Sequence, residues 1–156
     1  PMIKSAQVYY SLDGYIHVNI QQREPVLRVL TGEGYYVDRD GRVMPLSSKF
    51  TSRVVVATGD INKKFACEKL GPFAMKLKNE PFWDAYIEQL VVRSNEDVVM
   101  IPKVGDFRIV LGKVDDCDAR LEKLILFLKD GITKKGWNRY KEINLKFDNQ
   151  VVCVRK

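Results

Sequence analysis

The 156 residues, 46% of them hydrophobic and 29% charged, make one ordinary domain's worth of chain. A chain of that size buries about two-thirds of its unfolded surface without needing a disulfide or a metal. With only 10 Gly and 6 Pro, disordered, collagen-like and low-complexity readings are excluded. Lys and Arg exceed Asp and Glu by 26 to 20, but the resulting charge of +6 is scattered and speaks for solubility rather than for a ligand.

From its first residues the chain alternates. Ala6, Val8 and Tyr10 share one face of a predicted strand, Asp13-Gly14 marks a hairpin turn, and Ile16, Val18 and Ile20 share a face on the return strand. After Glu24-Pro25, Val26-Leu27-Arg28-Val29-Leu30 reads as a strand. Tyr35-Tyr36-Val37-Asp38 and Arg42-Val43-Met44 then pair around Asp40-Gly41. The β-branched run Arg53-Val54-Val55-Val56-Ala57-Thr58, stopped by Gly59-Asp60, reads as a buried strand.

Between Asn62 and Lys78 the period becomes helical, with Phe65, Leu70, Phe73, Ala74 and Leu77 on one broad face and Pro72 breaking or kinking the helix near its middle. Pro81 opens another helical turn carrying Phe82, Trp83, Tyr86 and Ile87. Strands return over residues 89–93, 97–102 and 107–112, the last two joined by a turn at Val104-Gly105-Asp106. Asp118 is the predicted N-cap of a helix with Leu121, Leu124, Ile125 and Leu128 on one face, ending at Gly131. The chain closes with a strand over 142–147, a turn at Asp148-Asn149 and a strand over 150–155. Tight turns between successive strands and clustered helices predict an α+β fold: a mainly antiparallel twisted sheet with helices packed on it.

Chemistry is scarce. The single histidine, His17, alternates with Ile16 and Val18 and is read as facing solvent. There is no G-x-S-x-G elbow and no Cys beside a base in a catalytic signature, so nucleophilic catalysis has no visible machinery. Thr31-Gly32-Glu33-Gly34 lacks the third glycine of a dinucleotide loop and reads as a turn. Asp115-Asp116 complements the positive end of the following helix. Glycosidase carboxylates leave no spacing signature, so a hydrolase with unrecognised acids stays as a third option. Cys67, Cys117 and Cys153 form no C-x-x-C pair, allow at most one disulfide, and read as small, partly buried side chains; no cofactor and no metal is implied. The apolar stretches, such as residues 54–57 and 124–128, fall well short of the roughly 18 residues that span a bilayer. The beginning, Pro1-Met2-Ile3-Lys4, has neither a signal-like stretch nor a start methionine, which suits an excised piece of a longer protein. The most basic segment, Lys134-Lys135-Gly136-Trp137-Asn138-Arg139-Tyr140-Lys141, reads as a solvated turn after a helix, and a basic cell-wall or nucleic-acid binding module is the alternative function.

What remains is surface. A last strand followed by no further element stands either at a sheet edge or inside the sheet, and an edge exposes a row of free N–H and C=O groups. Gln150-Val151-Val152-Cys153-Val154 carries no proline or charge of the kind that keeps natural edges unpaired.

The order of these segments resembles the FtsQ/DivIB family of bacterial cell-division proteins. Ser5-Ala6-Gln7-Val8-Tyr9 through Asp13-Gly14 to Ile16-His17-Val18, with the exit Gln22-Arg23-Glu24-Pro25, is similar to the last two strands of a POTRA domain running into that family's β-domain. Tyr36-Val37-Asp38-Arg39-Asp40-Gly41-Arg42-Val43-Met44 resembles its opening hairpin, and Val54-Val55-Val56-Ala57-Thr58-Gly59 the strand after it. Leu111-Gly112-Lys113 with the following helix, and Ile143-Asn144-Leu145-Lys146-Phe147, resemble its late strand and closing motif. The resemblance spans essentially all 156 residues.

It implies residues 1–29 as the end of an incomplete POTRA domain and 30–156 as an FtsQ-type β-domain. It implies a non-catalytic divisome scaffold in the periplasm, part of a single-pass inner-membrane protein at the septum whose membrane helix lies outside this chain. FtsB-like and FtsL-like proteins are the implied partners, with other divisome proteins meeting the POTRA region and no nucleic acid bound. The partner-binding residues it implies are Lys113, Lys146, Phe147, Asp148, Asn149, Gln150, Val151, Val152, Cys153 and Val154, where a partner strand joins the C-terminal edge. Lys113, Lys146, Arg155 and Lys156 would make that edge electropositive and favour an acidic peptide. Cys153 falls near a family glycine, a departure from the pattern, and the chain stops short of the usual family tail. A proline at Val152 is expected to hinder strand addition, provided its N–H points outward.

Overall fold

The computed structural model describes residues 2–132, 136 and 139–156, which form two sheets with helices beside the larger one. The small sheet is the predicted hairpin, β1 (Ile3–Tyr10) and β2 (Ile16–Gln22). Its antiparallel register sets Ala6 against Ile20, Val8 against Val18 and Tyr10 against Ile16, so all six fall on one face, as alternation demands. Both strands are exposed along their whole length, and that apolar face has no cover among the described residues. His17 lies on the other face, stacked on Tyr9 with ring centroids 5.0 Å apart.

The large sheet contains β3 (Pro25–Val29), β4 (Tyr35–Asp38), β5 (Val43–Pro45), β6 (Val55–Gly59), β7 (Ile87–Arg93), β8 (Asp97–Pro102), β9 (Arg108–Gly112), β10 (Tyr140–Asn144) and β11 (Val152–Arg155). Their spatial order is β11-β10-β9-β8-β7-β6-β3-β4-β5. Five pairings are antiparallel. Three are parallel: β3 with β6, β6 with β7 and β9 with β10. The sheet is thus mainly antiparallel but mixed, and each parallel pair is separated in the chain by the crossover that such pairing requires.

One transverse row explains the core. Cys153, Ile143, Ile109, Met100, Leu90, Ala57, Val29 and Tyr35 follow one another across eight strands in register. These side chains meet Phe65, Leu70, Phe73, Leu77, Trp83, Leu121, Leu124 and Leu128 from the helices in a single cluster. The helices therefore cover one face only. Val99, Val110, Tyr36 and Met44, on the opposite face, are buried but stand outside that cluster.

The helical segment after β6 departs instructively from its pattern. Asn62 caps it, its side chain accepting from the Phe65 N–H at 2.8 Å. A short turn α1 (Lys63–Phe65) widens into a π-helical turn, Ala66–Leu70, before α2 (Gly71–Asn79), where Pro72 sits in the first turn. Pro72 would clash with the carbonyl four residues back in a continuous α-helix, and the wide turn removes that clash without breaking the helical path. Pro81 opens α3 (Pro81–Tyr86) as the sequence implies. α4 (Asp118–Phe127) ends in a second π-helical turn, Leu128–Ile132. Its N-cap is Cys117, not Asp118; the Asp118 carboxylate occupies the first turn and pairs with Lys76. No described helix is long and apolar enough to cross a membrane.

Hairpin and large sheet meet through buried charge. The Arg23 guanidinium donates to the Asp38 carboxylate at 2.7 Å, and Asp38 is only 1% exposed in its side chain. The same carboxylate accepts from the Asp40 and Arg42 N–H groups at 2.9 and 2.7 Å, closing the tight turn that Gly41 makes with positive φ. Arg23→Ala should cost about 3 kcal/mol, the low end for unpairing a buried charge because two backbone donors remain. Urea unfolding checks this as a lower midpoint at unchanged slope.

Candidate functional site

The C-terminal strand β11 is the outer strand of the large sheet. Its position follows from α4. Parallel to β9, β10 takes the free side of that strand, and the 145–151 connection then returns the chain antiparallel on β10's only open side. Two side chains of α4 hold this arrangement. Arg120 donates to the carbonyls of Leu111 at 2.6 Å and Asp115 at 2.7 Å, and Lys123 donates to those of Leu145 at 3.3 Å and Phe147 at 2.6 Å. Neither was singled out from the sequence; the only signal was their spacing on the helix, beside the apolar positions.

The direction of each rim amide can be traced. Leu145 N–H donates to the Val110 carbonyl on β9, so Ile143 faces the same way while Asn144 and Glu142 turn their main-chain groups to Val152 and Val154. Lys156 N–H donates to the Arg139 carbonyl, which gives the same alternation from the other end. Val152 and Val154 therefore bond inward. Cys153 and Arg155 turn their N–H and C=O groups outward, so the condition placed on a Val152 proline is not met and Cys153 is the position whose N–H lines the rim.

Of the residues expected to bind a partner, Val152, Cys153 and Val154 lie in β11, whereas Lys146, Phe147, Asp148, Asn149, Gln150 and Val151 form the connection before it. Asn149 takes positive φ there, as suits the turn. Phe147, Val152 and Val154 are 46%, 37% and 47% exposed, an apolar surface beside the rim, while Cys153 and Val151 pack against the core from the helix-bearing face. Lys113 stands apart, after β9, beside the β7–β8 turn, with its Nζ on the Glu96 carboxylate at 3.8 Å and the Asn95 carbonyl.

The cations near the rim are not free charge. Lys146 holds Asp97 at 3.0 Å and Lys156 holds Asp106 at 2.8 Å, the latter lowering the Asp106 pKa through its hydrogen bond. Such exposed pairs are screened by solvent and hold their partners weakly, so a partner's carboxylate could exchange into them at little cost. The basic segment 134–141 lies partly outside the described residues. Among the described residues no three His, Cys, Asp or Glu side chains converge to hold a metal ion. Thr31-Gly32-Glu33-Gly34 is a turn closed by Gly34 N–H on the Thr31 carbonyl at 3.2 Å. Burial raises the Cys153 thiol above its ordinary pKa. Iodoacetamide should accordingly modify Cys153 slowly at neutral pH, with a rate that climbs only above the usual thiol range; peptide mass mapping of the alkylated protein checks it.

The family model described as FtsQ/DivIB, C-terminal related, matches residues 24–154, from just before β3 to within β11. No curated protein sequence matches the chain. The match covers the nine-stranded sheet, its helices and nearly all of its C-terminal rim, and the chain belongs to the FtsQ/DivIB family of septal cell-division proteins.

Proposed function

We propose that this chain is a non-catalytic scaffold of the division machinery that recruits FtsB- and FtsL-type proteins in the periplasm by accepting a partner strand along β11. The observation that carries the reading is the outer side of β11, which pairs with no other strand among the described residues, with the Cys153 and Arg155 main-chain groups directed away from β10 and the exposed Val152, Val154 and Phe147 side chains beside them. Strand addition satisfies the first and covers the second.

In the same proposal the β1–β2 hairpin is the closing part of a POTRA domain, which accounts for its bare apolar face, Val8, Val18 and Ile20 included; the expected boundary at residue 29 moves back to the hairpin's exit, because β3 (Pro25–Val29) pairs with β4 and β6 in the large sheet. The full protein is then held in the inner membrane by a helix outside this chain.

The test uses a labelled peptide spanning the strand-forming segment of an FtsB-type protein. Cys153→Pro should weaken binding about tenfold or more, having lost an outward ladder donor and the regular strand geometry, with circular dichroism unchanged. Undiminished binding by a folded Cys153→Pro variant overturns strand addition. Val152→Pro, by contrast, strikes the β10–β11 ladder and should lower the unfolding midpoint. Moderate salt should leave the peptide complex largely intact, whereas phosphate-driven association would fall steeply.

A further inference from the structure

The helix-free face of the large sheet carries a feature that strand addition does not use. Val91 lies opposite Val99, and Gln89 opposite Ile101, so Val91, Val99 and Ile101 form an apolar strip across β7 and β8. This strip lines a groove of about 550 Å³, whose lining also includes the edge of the buried Phe107 together with Arg93, Arg108, Lys141 and Lys156. Lys141 is turned out of register by the bulge between Tyr140 and Glu142 in the β10–β11 pairing.

The charges around the groove are unequal. Lys156 is paired with Asp106, the one carboxylate in the lining. Asp97, the strand neighbour of Arg93, is held by Lys146 instead, and Glu142 stands beside Arg108 in register without closing an ion pair. Arg93, Arg108 and Lys141 form no ion pair among the described residues. Three unneutralised cations thus surround an apolar floor.

We propose that this groove docks an acidic polypeptide segment that also carries apolar side chains, with its carboxylates on Arg93, Arg108 and Lys141 and its apolar residues on Val91, Val99 and Ile101. Guanidinium forks match carboxylates bidentately, and a floor of β-branched side chains is covered only by an apolar partner. A planar lipid surface does not enter a groove, and single-stranded nucleic acid would want exposed rings to stack on, whereas the one ring in the lining among the described residues, Phe107, is buried. This surface is distinct from the β11 rim, since its main contacts come from side chains on the sheet face rather than from free main-chain groups.

The probe is a short labelled peptide of repeating Glu-Leu-Pro, whose prolines withhold the ladder donors that strand addition requires. It should bind the whole chain with an affinity that falls as salt rises. Arg93→Glu with Arg108→Glu should weaken binding about tenfold or more, the gentler Arg93→Gln with Arg108→Gln should weaken it in the same direction, and Cys153→Pro should leave it unchanged. Equal binding of a Gln-Leu-Pro peptide, or binding indifferent to both arginine pairs in folded variants, overturns the proposal. So does loss of the peptide with Cys153→Pro alone, which would place it at the rim. Arginine-dependent capture of an oligonucleotide or of phosphatidylglycerol vesicles without capture of the peptide overturns it in favour of a phosphate ligand.

Discussion

The rim of this sheet depends on one crossover. β9 and β10 run parallel, and parallel neighbours require an intervening element to carry the chain back to the starting edge. α4 is that element, and it is tied at both ends. Leu121, Leu124 and Leu128 share a core with Ile143 and Leu145, while Arg120 and Lys123 donate to carbonyls at the ends of β9 and β10. Hydrogen bonds from charged donors are roughly twice as strong as neutral ones, and here they satisfy carbonyls that leave the ladder where the strands end. Once β10 is seated, its far side is the only place a short connection can return the chain. The position of β11 is a consequence of α4 packing rather than of anything in β11 itself.

A second constraint governs the opposite end of the sheet. Asp38 is the one buried charged residue among those described, and it organises three things together: the β4–β5 turn through two backbone donors, the exit from the hairpin through Arg23, and the start of β3 beside it. Exposed pairs such as Lys4 with Asp40 and Lys78 with Glu24 surround it, but screened surface charges of that kind contribute little. The direction in which β1 and β2 leave the large sheet is thus set by a single desolvated pair, while the hairpin's own apolar face remains open.

Much of this was legible in the residues. Period-2 alternation identifies the first hairpin and the Asp40-Gly41 turn the second, and the apolar face of α4 lies at Leu121, Leu124 and Leu128, which are buried, with Ile125 partly so. What local pattern did not reveal is pairing between distant strands. Val55-Val56-Ala57 reads as a buried strand but says nothing of lying parallel between β3 and β7, because that register is decided by side chains far apart in sequence. Pro72 reads as a break or a kink, and the π-turn that accommodates it leaves no mark in the sequence. At the rim, the residue types named the closing strand, but the direction of each N–H depends on the phase of the ladder. That phase was set by Leu145 bonding to Val110, a contact invisible until β9 and β10 are side by side.

The two faces of β11 constrain the kind of strand that would complete it. A strand laid along the rim continues two rows of the existing sheet. On the helix side its residues extend the row that runs from Met100 through Ile109 and Ile143 to the half-buried Cys153. On the other side they extend Val99, Val110, Asn144 and the exposed Val152. Ordinary edge strands are amphipathic because one face is wet. Here both rows are mainly apolar as they reach the rim, so the strand that fits should be apolar on both faces near its centre, with its charge at the ends. Main-chain bonding alone would accept almost any extended segment; these two flanking rows are what would make the rim selective.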